Sequence, residues 1–139
     1  MTGLVEFLGA RLDEDEQIAR EAPPGPWHIG NAVDPTKPCH VHTFPGVRLV
    51  ADGLNWLVAE HIARHDPARV LAEVSAKRQQ IDEHQPARPQ YMPRQTRGCL
   101  TCTTAQAWDD LADEANCRTL RLLALPYASH PEYREGWRP

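Results

Sequence analysis

The run RGCLTC, residues 97–102, places two of the chain's four cysteines two residues apart just after a glycine. Two thiolates on one tight turn supply one side of a tetrahedral metal site, and Gly98 eases the turn. Such a pair restricts the fold strongly, because two more ligands must come from elsewhere and be brought to the same point. In a reducing compartment a CxxC reads as a metal or redox motif rather than a structural disulfide.

Two completions fit the sequence. One takes Cys117 and His84, each separated from the CxxC by fourteen residues. It would pin the end of one helix, a loop and the start of another helix around one ion. The other takes Cys39 and His42, themselves two apart, with His40 close by. The first is preferred, since it leaves no idle thiol at Cys117. Either set is Cys3His, which suits Zn2+ in a closed structural site rather than a catalytic one. Cysteines that bind nothing, a redox dithiol and an iron–sulfur cluster compete with zinc, but no βαβ unit accompanies the CxxC to support the redox reading.

A staple suits this composition. The 139 residues include thirteen prolines and eight glycines, with only four tryptophans, three tyrosines and two phenylalanines. The expectation is a single zinc-binding domain over 1–139 with a thin core, the kind of small domain that gains from a bound metal. Its class is α+β and helix-dominated: three to four helices, a small irregular antiparallel sheet and a zinc-stapled loop.

Residues 3–21 have an amphipathic helical pattern, with Leu4, Phe7, Leu8, Leu12 and Ile18 on the apolar side. The acidic run Asp13–Glu16 reads as a solvated face. APPGPW at 22–27 ends this helix. The runs WHI, VHTF and VRLVA within 27–53 are β-leaning and separated by Pro35, Pro38, Pro45 and Gly46. A helix over 55–65 follows. The strongest helical signal comes next, with Asp66 as N-cap and Pro67 at the first helical position. Val70, Leu71, Val74 and Ile81 form its apolar stripe. Glu73 with Lys77, and Arg78 with Asp82, are opposite charges four apart. This helix ends near His84. CRTLRLLALPY gives a last short helix facing inward with Leu120, Leu123 and Leu122, and Tyr133 and Trp137 predict a tail that docks back.

Net charge is −4, with residues 1–60 at −5 and 61–139 at +1. That balance argues against wholesale nucleic-acid binding. Arg88, Arg94, Arg97, Arg118 and Arg121 cluster in sequence around the metal region and form a candidate anion- or partner-binding rim. Their plainer reading is a solvated loop balanced by Asp109, Asp110, Asp113 and Glu114. His61 and His65 share a helix face, but Ile62 replaces the glutamate of a metalloprotease motif. No phosphate loop, nucleophile elbow or Rossmann fingerprint appears, so no catalytic residue is assigned. No window reaches the ~18–20 apolar residues of a membrane span, and the N-terminus lacks the basic and cleavage regions of a signal peptide. A cytoplasmic chain is expected.

Three segments, LVEFLGARLDEDEQIAR, HIARHDPARVLAEVSAKRQQIDEH and TLRLLALPYASHPEYREGWRP, resemble an uncharacterised domain-of-unknown-function family of small actinobacterial proteins. Members often carry a histidine ending the central helix, a CxxC, and a cysteine just before the TLRLLALPY segment. The resemblance therefore implies the ligand set His84, Cys99, Cys102 and Cys117, and leaves Cys39 and His42 as local additions. It implies no activity. The reading carried forward is a zinc-stabilised binding or adaptor protein. A nucleic-acid-associated regulator using the C-terminal arginines is the alternative, and a metal-dependent hydrolase with a three-ligand site is third.

Overall fold

The computed structural model describes residues 3–30, 34, 36–87, 98–99, 101–102 and 117–139. In order these form α1 (Leu4–Glu21), β1 (Trp27–Gly30), β2 (Cys39–Thr43), β3 (Leu49–Leu54), α2 (Trp56–Arg64), α3 (Pro67–Glu83), β4 (Pro86–Ala87), β5 (Gly98–Cys99) and α4 (Arg118–Ala124). The architecture is α+β, with four helices and a small three-stranded antiparallel sheet in the order β1-β2-β3. No helix among the described residues is long and apolar enough to cross a membrane. The chain divides into two compact units, Glu14–Ser75 and Met1–Asp13 with Ala76–Pro139, and the division falls inside α1 and α3.

The unit Glu14–Ser75 is built on the sheet. Strand alternation is visible in β2, where Cys39, Val41 and Thr43 are buried and His40 and His42 are half-buried. Cys39 and Val41 form a core with Ala59 of α2, and Trp27, Ile29, Val50, Leu54 and Ile62 pack against it. α2 starts where Asn55 caps it, its Oδ1 accepting from the Val58 amide at 3.0 Å.

Asp66 ties the first strand to the start of α3. Its Oδ1 accepts the Arg69 amide at 2.9 Å and its Oδ2 accepts the Trp27 amide at 3.0 Å. Asp66 as a whole is only 8% exposed. Gly25 leaves it room, since a Cβ there would lie 2.8 Å from Oδ2. The N-cap role assigned from sequence is therefore only half of what Asp66 does. Asp66→Ala should remove the acceptor of two half-buried amides, one of them the N-cap bond, and cost about 1–2 kcal/mol in urea unfolding. A loss below about 0.5 kcal/mol would show that neither bond matters.

In the other unit, Leu4, Phe7, Leu8 and Leu12 of α1 are each at most 1% exposed. Phe7 sits among aromatic rings of the C-terminal segment: Trp137 at 5.0 Å between ring centres, His130 at 5.8 Å, Tyr133 at 6.1 Å and Tyr127 at 6.4 Å. The tail thus docks as its aromatics predict, and Trp137 is 4% exposed. Arg11, also buried, lies over the Phe7 ring at 5.4 Å and donates to His130 Nδ1 at 2.7 Å.

Helical phase corrects two expected inward positions. Ile18 is 68% exposed, because the stripe running 4, 8, 12 continues through Ala19, one residue further on. Leu122 is 47% exposed, whereas Ala124 is fully buried beside Leu120 on the same face of α4. Charge pairing on α3 also reaches beyond the neighbours expected: Glu73 bonds Arg69 at 2.7 Å, and Arg78 bonds Asp13 of α1 at 2.7 Å.

Candidate metal centre

Each of the four ligands preferred from sequence is delivered by a different local device. His84 follows the last turn of α3, its amide bonded to the carbonyls of Gln80 and Ile81. β4 and β5 pair antiparallel, with Pro86 opposite Cys99, so the backbone returns beside the helix end. The chain then turns to Cys102, whose amide donates to Cys99 Sγ at 3.4 Å. Cys117 precedes α4 as its N-cap residue, without a side-chain capping bond. Two threonines outside the sequence pattern hold this frame. Thr101 donates its hydroxyl to the Glu83 carbonyl at 2.8 Å, and Thr119 Oγ1 lies 3.5 Å from Cys102 Sγ. Nothing in their local sequence marks them, because both contacts are long-range.

One ligand atom from each of His84, Cys99, Cys102 and Cys117 lies within 4.8 Å of every other. His84 Nδ1 is 3.3 Å from Cys99 Sγ, 3.2 Å from Cys102 Sγ and 3.6 Å from Cys117 Sγ, and the sulfurs of Cys117 and Cys102 are 3.8 Å apart. Tetrahedral zinc with its usual bond lengths requires about 3.5 Å between nitrogen and sulfur and about 3.8 Å between sulfurs. The side chains already stand at ligand spacing. Cys99 and Cys117 are buried, and Cys102 is exposed.

The thiols differ in acidity. Burial drives Cys117 from an ordinary 9.0 up to about 12, with the neighbouring Cys99 and Cys102 adding to the rise against a backbone bond from Leu120. Burial also pushes Cys102 upward, but hydrogen bonds involving Thr119, Cys117 and Cys99 outweigh it and leave this thiol below its usual value. Without a cation the cluster therefore keeps a proton on Cys117 at neutral pH, and a bound metal must displace it. Zinc affinity should consequently rise at least about tenfold per pH unit between about pH 6 and 8. Competition against a chromophoric chelator measures this, and a flat profile would contradict it. The raised Cys117 value favours the protonated thiol in the folded state. Its stabilising contribution to the metal-free chain is present below pH 9.0 and lost as pH rises towards about 12.

The other candidate residues fall elsewhere. Cys39 and His42 lie on opposite faces of β2, Cys39 in the core and His42 directly across from His28. Cys39 is 2% exposed, and its thiol donates to the Leu54 carbonyl at 3.3 Å. Among the arginines, Arg121 donates through Nε to the Trp137 carbonyl at 3.2 Å, which anchors the tail, and Arg118 is exposed. Arg88, Arg94 and Arg97, with Asp109, Asp110, Asp113 and Glu114, lie outside the described residues. His61 and His65 stand with ring centres 4.4 Å apart, and His65 Nδ1 donates to the His61 carbonyl at 2.8 Å.

A family model matches this chain over residues 1–139. The chain belongs to the family of unknown function DUF6221. No curated protein and no solved structure matches it. Membership agrees with the expectation of a family of unknown function, and it assigns no activity to the group of three cysteines and one histidine, which could hold a metal ion.

Proposed function

We propose that this chain is a zinc protein whose ion is structural, and that it acts as a cytoplasmic binding or adaptor protein through the surface the ion holds in place. The observation that supports this reading is the convergence of four ligand atoms within 4.8 Å. Three thiolates and an imidazole are a ligand set that favours zinc, and a full set of four protein ligands leaves no position for substrate or a reactive water. Free thiols at this density suit a reducing compartment. The three stretches meeting at the ion are separated by fourteen residues on either side of the CxxC. A metal there ties together three stretches that are distant in sequence.

Elemental analysis of the purified chain tests the metal. One tightly held equivalent of zinc, with a thiolate-to-metal charge-transfer band after replacement by Co2+, is the expected result. Iron with inorganic sulfide, or no metal at all, would overturn the reading. Pull-down with the metal-loaded chain, repeated after chelation, tests the adaptor role. Partners retained equally by the metal-free chain would count against it, and salt-sensitive recovery of nucleic acid would favour the regulator instead.

A further inference from the structure

The outer face of the sheet carries three histidines that the Cys3His group does not use. β1 and β2 pair with His28 opposite His42 and Gly30 opposite His40. Trp27 and Ile29 of β1, and Cys39 and Val41 of β2, belong to the core side. Strand alternation therefore puts His28, His40 and His42 together on the other face. The ring of His42 is central, 5.4 Å from that of His40 and 6.4 Å from that of His28. Two imidazoles sharing one tetrahedral zinc have ring centres about 5 Å apart. His40 is accommodated by the glycine opposite, since a Cβ on Gly30 would run into its ring. His28 rests on Phe44 at 4.9 Å between ring centres. His42 Nδ1 is buried and has no hydrogen-bond partner among the described residues. A buried nitrogen in that state costs free energy that a metal bond would remove.

We infer that His28, His40 and His42 form a second, weaker site for a divalent first-row metal, with zinc the natural occupant, on the outer face of the three-stranded sheet. A His-x-His pair on one strand and a third histidine directly across from it give three nitrogen ligands. That count leaves one coordination position for water or an anion, unlike the Cys3His group. The three nitrogens are not drawn together as they stand, because the group at 84, 99, 102 and 117 is the one set mutually within 4.8 Å among the described residues. Closing the site takes side-chain rotation at His28, which is exposed, and at His40, which is half-buried. The strands already provide the spacing.

Zn2+ titration of the full chain, followed by calorimetry and by histidine ring NMR signals, tests the site. A second equivalent should bind after the first and shift three of the seven histidines, namely His28, His40 and His42. H40A/H42A should weaken this second equivalent at least about tenfold, while the Co2+ thiolate charge-transfer band of the first is unchanged. H61A/H65A should leave both equivalents intact. Absence of a second equivalent overturns the inference, as does its loss in H61A/H65A or ring shifts at other histidines. If H40A/H42A does not fold, the ring shifts in the unmodified chain decide. Loss of the charge-transfer band alone would count against the Cys3His reading and leave this one standing.

Discussion

If the Cys3His group holds the proposed structural zinc, chelation should lower the thermal midpoint of the protein by well over about 10 °C, because structural zinc contributes roughly 10–16 kcal/mol of apparent binding free energy in small domains. The effect should be large here because the ligands come from the end of α3, the turn after β5 and the residue before α4. Each ligand supports the geometry of the rest. Removing a group that merely orients a ligand typically costs 10–100-fold in affinity, so Cys99→Ser, which removes a ligand, should exceed about 100-fold. Cys39→Ser is the control. It disturbs a buried thiol bonded to Leu54 in the sheet core and should leave zinc content at one tight equivalent. Melting that is identical before and after chelation would sink the structural role. Metal loss in Cys39→Ser with retention in Cys99→Ser would sink the ligand assignment.

The second large effect concerns the aromatic cluster around Phe7. Phe7 is fully buried, and its ring meets those of Tyr127, His130, Tyr133 and Trp137. Phe7→Ala removes a ring that four others enclose, and the cavity should cost about 3–5 kcal/mol in urea unfolding of the metal-loaded chain. Trp137→Ala should cost a similar amount. The double variant should fall short of the sum by about 0.5–1.5 kcal/mol, since the two rings share one contact. Losses under about 1 kcal/mol for both single variants would mean that the tail contributes little to the fold. This cluster also explains why aromatic residues lie so near the C-terminus in a chain with only nine.

Much of the local structure was legible because local rules dominate it. Asp66 and Pro67 mark the start of α3, and the prolines after Glu21 mark the end of α1. β-leaning runs between prolines become the three strands of the sheet. Sequence pattern and structure part where an apolar residue and a small neighbour lie one position apart on a helix. Ile18 and Leu122 are apolar but fall outside the buried faces of α1 and α4, where Ala19 and Ala124 take the inward positions. Apolar character is a property of the residue, whereas burial depends on helical phase, and a small alanine gives a weak signal of it.

The candidate site shows the same division. Residue type and spacing pointed to soft ligands around one ion, against an idle set, a redox dithiol or an iron–sulfur cluster, and offered His84 with Cys117 or His42 with Cys39 as the completing pair. Tertiary structure treats the two pairs differently: β2 turns Cys39 and His42 to opposite faces, while the end of α3, the β4–β5 pairing and the start of α4 bring one ligand atom from each of His84, Cys99, Cys102 and Cys117 within 4.8 Å of one another. The same holds for Thr119 beside Cys102, Arg78 on Asp13 and the three-histidine face. Sequence determined which donors exist and which segments form helices and strands, because those follow from side-chain chemistry and backbone preference over a few residues. Only the fold decided which donors meet, since that depends on the register of strands and the phase of helices between residues far apart in the chain.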